Sequence, residues 1–284
     1  MLVRSSTAIA AICILSGAAF AQGAAKPTDP QIGHIAYTAG QLDIEAAKQA
    51  LSKSTNRDVR AFAEGMVGDH TAVNKEALDL VTKLKVTPED NDTSRALSKA
   101  AADKRAELAR LSGADFDNAY VANEVAYHKT VNDALETTLI PFASNPELKS
   151  LLETGLKIFQ GHEQHAEQVA AALKYGDPML PGRYLLMFMV VIWGMISVPA
   201  CAATIQVSID NLVFSPAELK ARVGDTITWI NRDIVAHTAT VRGGFDVTIE
   251  ANSSPSLVLT KAGIVDYYCR FHPNMKGRMT ITAE

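Results

Sequence analysis

The chain has 284 residues, which is enough for two ordinary domains. Its net charge of −4, from 27 basic and 31 acidic side chains, excludes a strongly basic nucleic-acid-binding protein. Hydrophobic residues make up 48% of the chain, so it is not disordered as a whole, and three cysteines are too few for a disulfide scaffold.

Residues 1–21 have the pattern of a secretory signal peptide. Arg4 supplies the positive charge, an apolar stretch follows, and Ala19 and Ala21 flank Phe20 as the small residues of a cleavage site. A short membrane anchor is the alternative, but the apolar run is brief and rich in alanine, which favours cleavage. We therefore expect an exported, periplasmic protein.

Residues 28–175 have the pattern of a helical domain. Apolar residues recur there every three or four positions, and the breaks carry capping residues and prolines. This pattern predicts helices near 31–53, 57–85, 94–112, 115–139 and 146–174. Long helices with short connections are typical of an up-and-down bundle.

Three of these helices place a histidine on their apolar stripe, namely His70, His128 and His162, and Glu124 lies one turn before His128. Side chains from facing helices can converge on a metal in a bundle core. The four residues are therefore a candidate second metal site. The alternative is that each histidine is a core residue hydrogen-bonded to a neighbour, as most buried polar groups are.

Two stretches of this domain carry a resemblance to a known family. Residues 59–70 (VRAFAEGMVGDH) and 111–120 (LSGADFDNAY) resemble an exported bacterial family of unknown function, which is similar to the ferritin-like four-helix bundles. The resemblance covers residues 30–173. It implies a ferritin-like bundle and a periplasmic location, and it implies no activity.

Residues 179–203 form a second signal-like segment in the middle of the chain. The stretch 184–203 contains no charge, Arg183 precedes it, and Ala200 and Ala202 flank Cys201 as small residues. A segment of this length can also span a bilayer, as a helix that joins the two domains and tethers the protein to the membrane. The position of Arg183 favours an internal signal peptide, and Met179 stands where a start residue would. Our hypothesis is that two exported proteins are joined in one reading frame.

In residues 204–284 the apolar period changes from three or four to two. Apolar residues alternate with polar ones, as at Ile205, Val207 and Ile209. Turn residues such as Gly224 and Gly263 separate the alternating stretches. The pattern predicts eight short strands in an all-β sandwich or barrel.

One loop of this domain carries the chemistry. Cys269, His272 and Met275 follow the pattern Cys-x-x-His-x-x-Met, and His237 follows an earlier strand. Two imidazoles and one thiolate with a weak axial thioether form the blue-copper electron-transfer site. Zinc also accepts Cys and His, but structural zinc sites rarely use Met. The sequence therefore predicts one type 1 copper ion at these four residues.

The short ligand loop, with Pro273 directly after His272, and the stretch 225–231 (DTITWIN) resemble small cupredoxins of the amicyanin, pseudoazurin and plastocyanin kind. The resemblance covers the whole domain, and it implies a cupredoxin β-sandwich and a periplasmic single-electron carrier that is not an enzyme. It also implies a partner-docking patch around His272, bordered by Phe271, Pro273 and Asn274.

The expected partners are redox proteins, such as a dehydrogenase or a cytochrome, and not nucleic acid. A second hypothesis stays open. In it the chain binds, stores or delivers copper, and the helical bundle is a second metal-binding module.

Overall fold

The computed structural model describes residues 26–175 and 202–283. The predicted signal peptide, residues 1–21, lies outside these ranges, and so does nearly all of the predicted joining segment, residues 179–203. Within the described ranges, no helix is both long enough and apolar enough to cross a membrane.

The first range is helical, and the five long helices predicted from the sequence are present. The bounds are α1 Asp29–Lys53, α2 Arg57–Leu84, α3 Asp92–Ala109, α4 Gly113–Ala134, α5 Ile140–Phe142 and α6 Pro146–Tyr175. Capping explains the starts of α2 and α6. The Asn56 side chain accepts hydrogen bonds from backbone N–H groups in the first turn of α2, and the Asn145 side chain does the same for α6.

The predicted fourth helix, 115–139, differs most from the structure. Its α-helical part ends at Ala134, and the chain continues as a π-helix over Leu135–Leu139 and then as the short α5. Pro141 has no N–H to donate to the preceding turn, which favours a widened turn here. The third helix also differs, since it begins at Asp92 behind the capping residue Asn91 and ends at Ala109.

The helices pack into one body. Helix α1 lies against α2 and α3, α4 lies against α6, and α2 also contacts α6. The ferritin-like assignment of this arrangement stays a prediction. Large buried apolar side chains fill the core, among them Ile32, Phe62, Met66, Phe116 and Tyr120.

The second range forms a β-domain of nine strands, where the sequence pattern predicted eight. The bounds are β1 Thr204–Asp210, β2 Val213–Ser215, β3 Glu218–Arg222, β4 Thr226–Asn231, β5 His237–Thr240, β6 Asp246–Ile249, β7 Ser256–Val258, β8 Gly263–Tyr268 and β9 Lys276–Thr282. The prediction of eight was wrong because β2 and β7 have three residues each. Such short strands show no clear alternation.

The strands form two sheets, ordered β2-β1-β4-β7 and β3-β9-β8-β5-β6. Inward-facing residues of both sheets share one core that includes Val207, Trp229 and Tyr267. Cys269 directly follows β8, and Lys276 begins the neighbouring strand β9. His237 begins β5, which pairs with the end of β8. The topology therefore brings His237 and the predicted ligand loop to one end of the same sheet.

Candidate metal centre

The three strong candidate ligands converge at this end of the sheet. Cys269 Sγ lies 3.9 Å from His237 Nδ1 and 3.7 Å from His272 Nδ1, and the two nitrogens are 3.1 Å apart. All three side chains are buried. Because metal–nitrogen and metal–sulfur bonds are about 2.0–2.3 Å long, one ion among these atoms can bind all three.

A carboxylate orients each of the two histidines. Nε2 of His237 lies 3.0 Å from Asp233 Oδ2, and Nε2 of His272 lies 2.8 Å from Asp69 Oδ2. Each carboxylate occupies Nε2 and leaves Nδ1 facing the sulfur. Metal-bound histidines are typically held in this way.

The surroundings of Cys269 favour its thiolate form. The backbone N–H groups of Thr238 and His272 donate to Sγ over 3.3 and 3.4 Å. Burial raises the pKa of the Cys269 thiol, but hydrogen bonds with His237 and His272 outweigh it and lower the pKa to about 5. Burial lowers the pKa of His272, but the Asp69 carboxylate outweighs it and raises the pKa to about 10. The thiolate is the form that binds metals.

Met275 closes the ligand loop. Its N–H donates to the His272 carbonyl over 2.8 Å, and its own carbonyl accepts the N–H of Cys269 over 3.1 Å. The side chain is buried in the same core as Cys269. A thiolate, two imidazoles and a thioether from the same loop are soft to borderline donors, and this chemistry fits copper.

The predicted docking patch lies against the helical bundle. The carbonyl of Phe271 is 3.0 Å from His165 Nδ1, and Gln168 Nε2 donates to Asn274 Oδ1 over 2.9 Å. Pro273 and Gln168 line a common groove. The residues that the resemblance assigned to a docking patch therefore face this chain's own α6.

His272 itself is only 3% exposed. The expectation that it sits at a surface patch was wrong for this chain, because the bundle covers it. Neighbouring parts of the β-domain contribute to the same contact. Val235 is buried in one apolar cluster with Phe159 of α6, and Lys157 Nζ donates to Asn211 Oδ1 over 2.7 Å.

The structure brings three of the four candidate metal ligands of the bundle into one group, whereas Glu124 groups with Asp43 and His128. His70, His128 and His162 each offer a ring nitrogen within 4.8 Å of the others. The Glu124 carbonyl lies 3.0 Å from His128 Nδ1, and its carboxylate lies 3.8 Å from the same atom.

Sequence analysis missed two carboxylates at this cluster. Asp43 of α1 has Oδ2 2.6 Å from His70 Nε2, and Asp69 of α2 has Oδ2 2.8 Å from His162 Nε2. Asp43 stands four residues after the buried Ala39 and four before the buried Ala47. A carboxylate on an apolar stripe was the signal that could have identified it.

Burial determines the charge states in this cluster. It lowers the pKa of His128, and it lowers the pKa of His162 to about 3, so both imidazoles are neutral. Burial raises the pKa of Glu124, and the Asp43 charge raises it further. Burial opposes ionisation of Asp43, but the adjacent His70 outweighs it and holds the pKa of Asp43 well below the usual value. Neutral imidazole is the form of histidine that binds metals.

Two proteins of known type are similar to part of the chain. Amicyanin from Paracoccus denitrificans is 33% identical over 84 residues, which are 27% of this chain and 64% of the relative. Amicyanin-alpha from Methylorubrum extorquens is 27% identical over 89 residues, 29% of this chain and 75% of the relative. The chain thus spans slightly less than two thirds of the first relative's length.

A solved structure of the Cu(I) form of an amicyanin variant is 31% identical and covers 29% of this chain and 86% of its own, with a TM-score of 0.27. A TM-score of this size does not establish a shared fold. Residues 15–169 match the family described as "Domain of unknown function (DUF4142)". That match covers more than half of the sequence, and the chain therefore belongs to the DUF4142 family.

Proposed function

We propose that the β-domain is a blue-copper electron-transfer module that holds one copper ion through His237, Cys269, His272 and Met275. The observation that carries this proposal is the convergence of one thiolate and two imidazole nitrogens within 3.9 Å. The partial similarity to amicyanins supports it.

Copper bound by these residues would accept and release single electrons. The protein's part is to keep the ligands still during that exchange, because a rigid site needs little rearrangement between oxidation states. The tight loop from Cys269 to Met275 and the Asp233 contact of His237 supply this rigidity. The hydrogen bond from the Thr238 N–H to the Cys269 sulfur would help to set the reduction potential of copper bound there.

The partner in this proposal is another redox protein, such as a dehydrogenase or a cytochrome. His272 is the ligand nearest the boundary between the domains, and its Nε2 contacts Asp69 of the bundle. A partner that approaches Phe271 and Asn274 therefore meets the bundle first. The signal-peptide pattern of residues 1–21 supports a periplasmic location.

The visible spectrum tests the proposal. Adding Cu(II) to the purified full-length chain should produce an intense visible band from charge transfer between the Cys269 thiolate and copper. Cys269→Ala should abolish the band completely. A colourless copper complex of the unaltered chain contradicts the proposal.

Copper storage or delivery is the second candidate function, and the histidine cluster of the bundle is the observation that favours it. A delivery protein must release its metal, whereas an electron carrier must retain it through both oxidation states. Rapid loss of copper to a soluble chelator, without reversible reduction, would favour delivery.

A further inference from the structure

We propose that the bundle holds a second metal ion through His70, His128 and His162, and that Asp69 couples this site to the copper ligand His272. The ion we infer is a divalent late first-row transition metal such as Cu(II). The coupling rests on the proposed blue-copper site, whereas the bundle site stands independently of it.

The partners of the histidine rings support this site. One ring nitrogen of His70 lies 2.6 Å from Asp43 Oδ2, a close contact without hydrogen-bond geometry. Nδ1 of His128 lies 3.0 Å from the Glu124 carbonyl. Metal-binding histidines typically place one nitrogen against a carboxylate or carbonyl oxygen and bind the ion with the other.

His162 follows the same pattern, since Nε2 contacts Asp69 Oδ2 over 2.8 Å. In each ring the second nitrogen has no hydrogen-bond partner among the residues that the structure describes. These atoms are Nδ1 of His70, Nε2 of His128 and Nδ1 of His162.

Three unpartnered nitrogens in one place require an explanation, because the rings are almost completely buried. Exposed fractions are 2% for His70, 1% for His128 and 0% for His162. Leaving a buried polar group unpaired destabilises the folded state, and folded proteins contain few such groups. Each of the three rings offers one nitrogen within 4.8 Å of a nitrogen of the other two, so one ion can bind all three rings.

The donor set indicates the class of metal. Imidazole suits zinc, copper, iron and nickel, and among divalent first-row ions Cu(II) binds most tightly to a given nitrogen and oxygen site. Asp43 Oδ2 lies 3.6 Å from His128 Nε2, so one carboxylate is close enough to balance part of the ion's charge. Cu(II) is therefore the probe of choice.

Asp69 is the link between the two sites. Its Oδ2 lies 2.8 Å from His162 Nε2 and 2.8 Å from His272 Nε2, and the two rings are nearly parallel at 9°. The Asp69 carboxylate thus pairs with Nε2 of both histidines and is not itself a metal ligand. It acts as a positioning residue for the two rings. A charge bound at His162 alters how Asp69 interacts with His272.

Copper stoichiometry tests the second site. The full-length chain, saturated with Cu(II) and cleared of loosely bound metal, should retain two ions. A double variant, His70→Ala with His128→Ala, should retain one ion and the full visible band, and that band itself reports a folded β-domain. His34→Ala, a histidine of α1 outside the cluster, should retain both ions.

The two proposals fail in different ways in this experiment. One retained ion with an intact visible band in the unaltered chain overturns the bundle site, and so does a double variant that keeps both ions. A different result overturns the blue-copper site alone. In that case the unaltered chain shows no visible band, but it retains an ion that the double variant loses. Cys269→Ala should keep one colourless ion.

A shift of the visible band tests the coupling. Adding Zn(II) to the chain loaded with one equivalent of copper should shift the band, because Asp69 transmits the new charge to His272. Asp69→Asn should remove the shift and weaken bundle metal binding about 10- to 100-fold. Asp79→Asn, an exposed residue of the same helix, should keep the shift. A band that Zn(II) leaves unchanged in the unaltered chain overturns the coupling.

Discussion

Asp69 of α2 and His272 of the ligand loop are joined by a contact of 2.8 Å between Oδ2 and Nε2, although they stand 203 positions apart in the chain. The same carboxylate oxygen also contacts His162. A candidate copper ligand and the histidine cluster of the bundle therefore share one buried carboxylate. Any account of the metal centre has to include both domains.

Asp233 should determine how tightly the β-domain binds copper. Its carboxylate lies 3.0 Å from His237 Nε2 and also accepts the N–H groups of Asn211 and Leu212. Asp233→Asn removes the charge that orients His237, and we expect copper affinity to fall about 10- to 100-fold. Competition with a chelator measures this. Asp266→Asn, which affects only the exposed pair with Arg278, should leave the affinity unchanged.

Gly277 should be intolerant of any side chain. It pairs with Tyr267 across β8 and β9, and a Cβ atom there would collide with the Tyr267 ring. Forcing that buried ring aside should cost about 1–3 kcal/mol in Gly277→Ala, as measured by denaturant unfolding.

Gly68 provides the matched control for that substitution. It lies in α2 with nothing within 4 Å of the position of a Cβ atom. Alanine there should stabilise the helix by about 0.5–1 kcal/mol, because glycine loses more conformational freedom on folding. Equal effects of the two substitutions would contradict the packing described for Gly277.

Val235 should report on the contact between the domains. It is buried in an apolar cluster formed mainly by bundle residues such as Leu152 and Phe159. Val235→Asp would bury an unpaired carboxylate in this cluster. Burying an unpaired neutral polar group costs about 1–3 kcal/mol of stability, and burying a charge costs more. We expect the domains to separate, with a larger radius of gyration in X-ray scattering. Val213→Asp, at a position that is 54% exposed, should not change the radius.

The sequence alone was sufficient to single out Cys269, His272 and Met275 as candidate ligands, because they stand at short spacing in one loop. The sequence also singled out three bundle histidines as candidate metal ligands, since helical periodicity places His70, His128 and His162 on apolar stripes. Local patterns of this kind depend on neighbouring positions, and the structure confirms the three helices on which these histidines lie, α2, α4 and α6.

Long-range contacts could not be predicted in this way. Nothing near Asp69 in the sequence indicates that it faces His272, and nothing near Phe271 indicates that α6 covers it. The resemblance to cupredoxins implied a surface patch at His272, whereas the structure buries this residue. The burial of His272 depends on tertiary packing between distant segments, and a single sequence holds no local signal for such packing.

The most direct test of the account is a potentiometric titration of the visible band in the copper-loaded, full-length chain. If the β-domain carries electrons through bound copper, the band disappears and returns along one curve, with the slope of a one-electron couple, while copper stays bound. A slope that does not correspond to one electron, or loss of copper on reduction, would contradict an electron-transfer function.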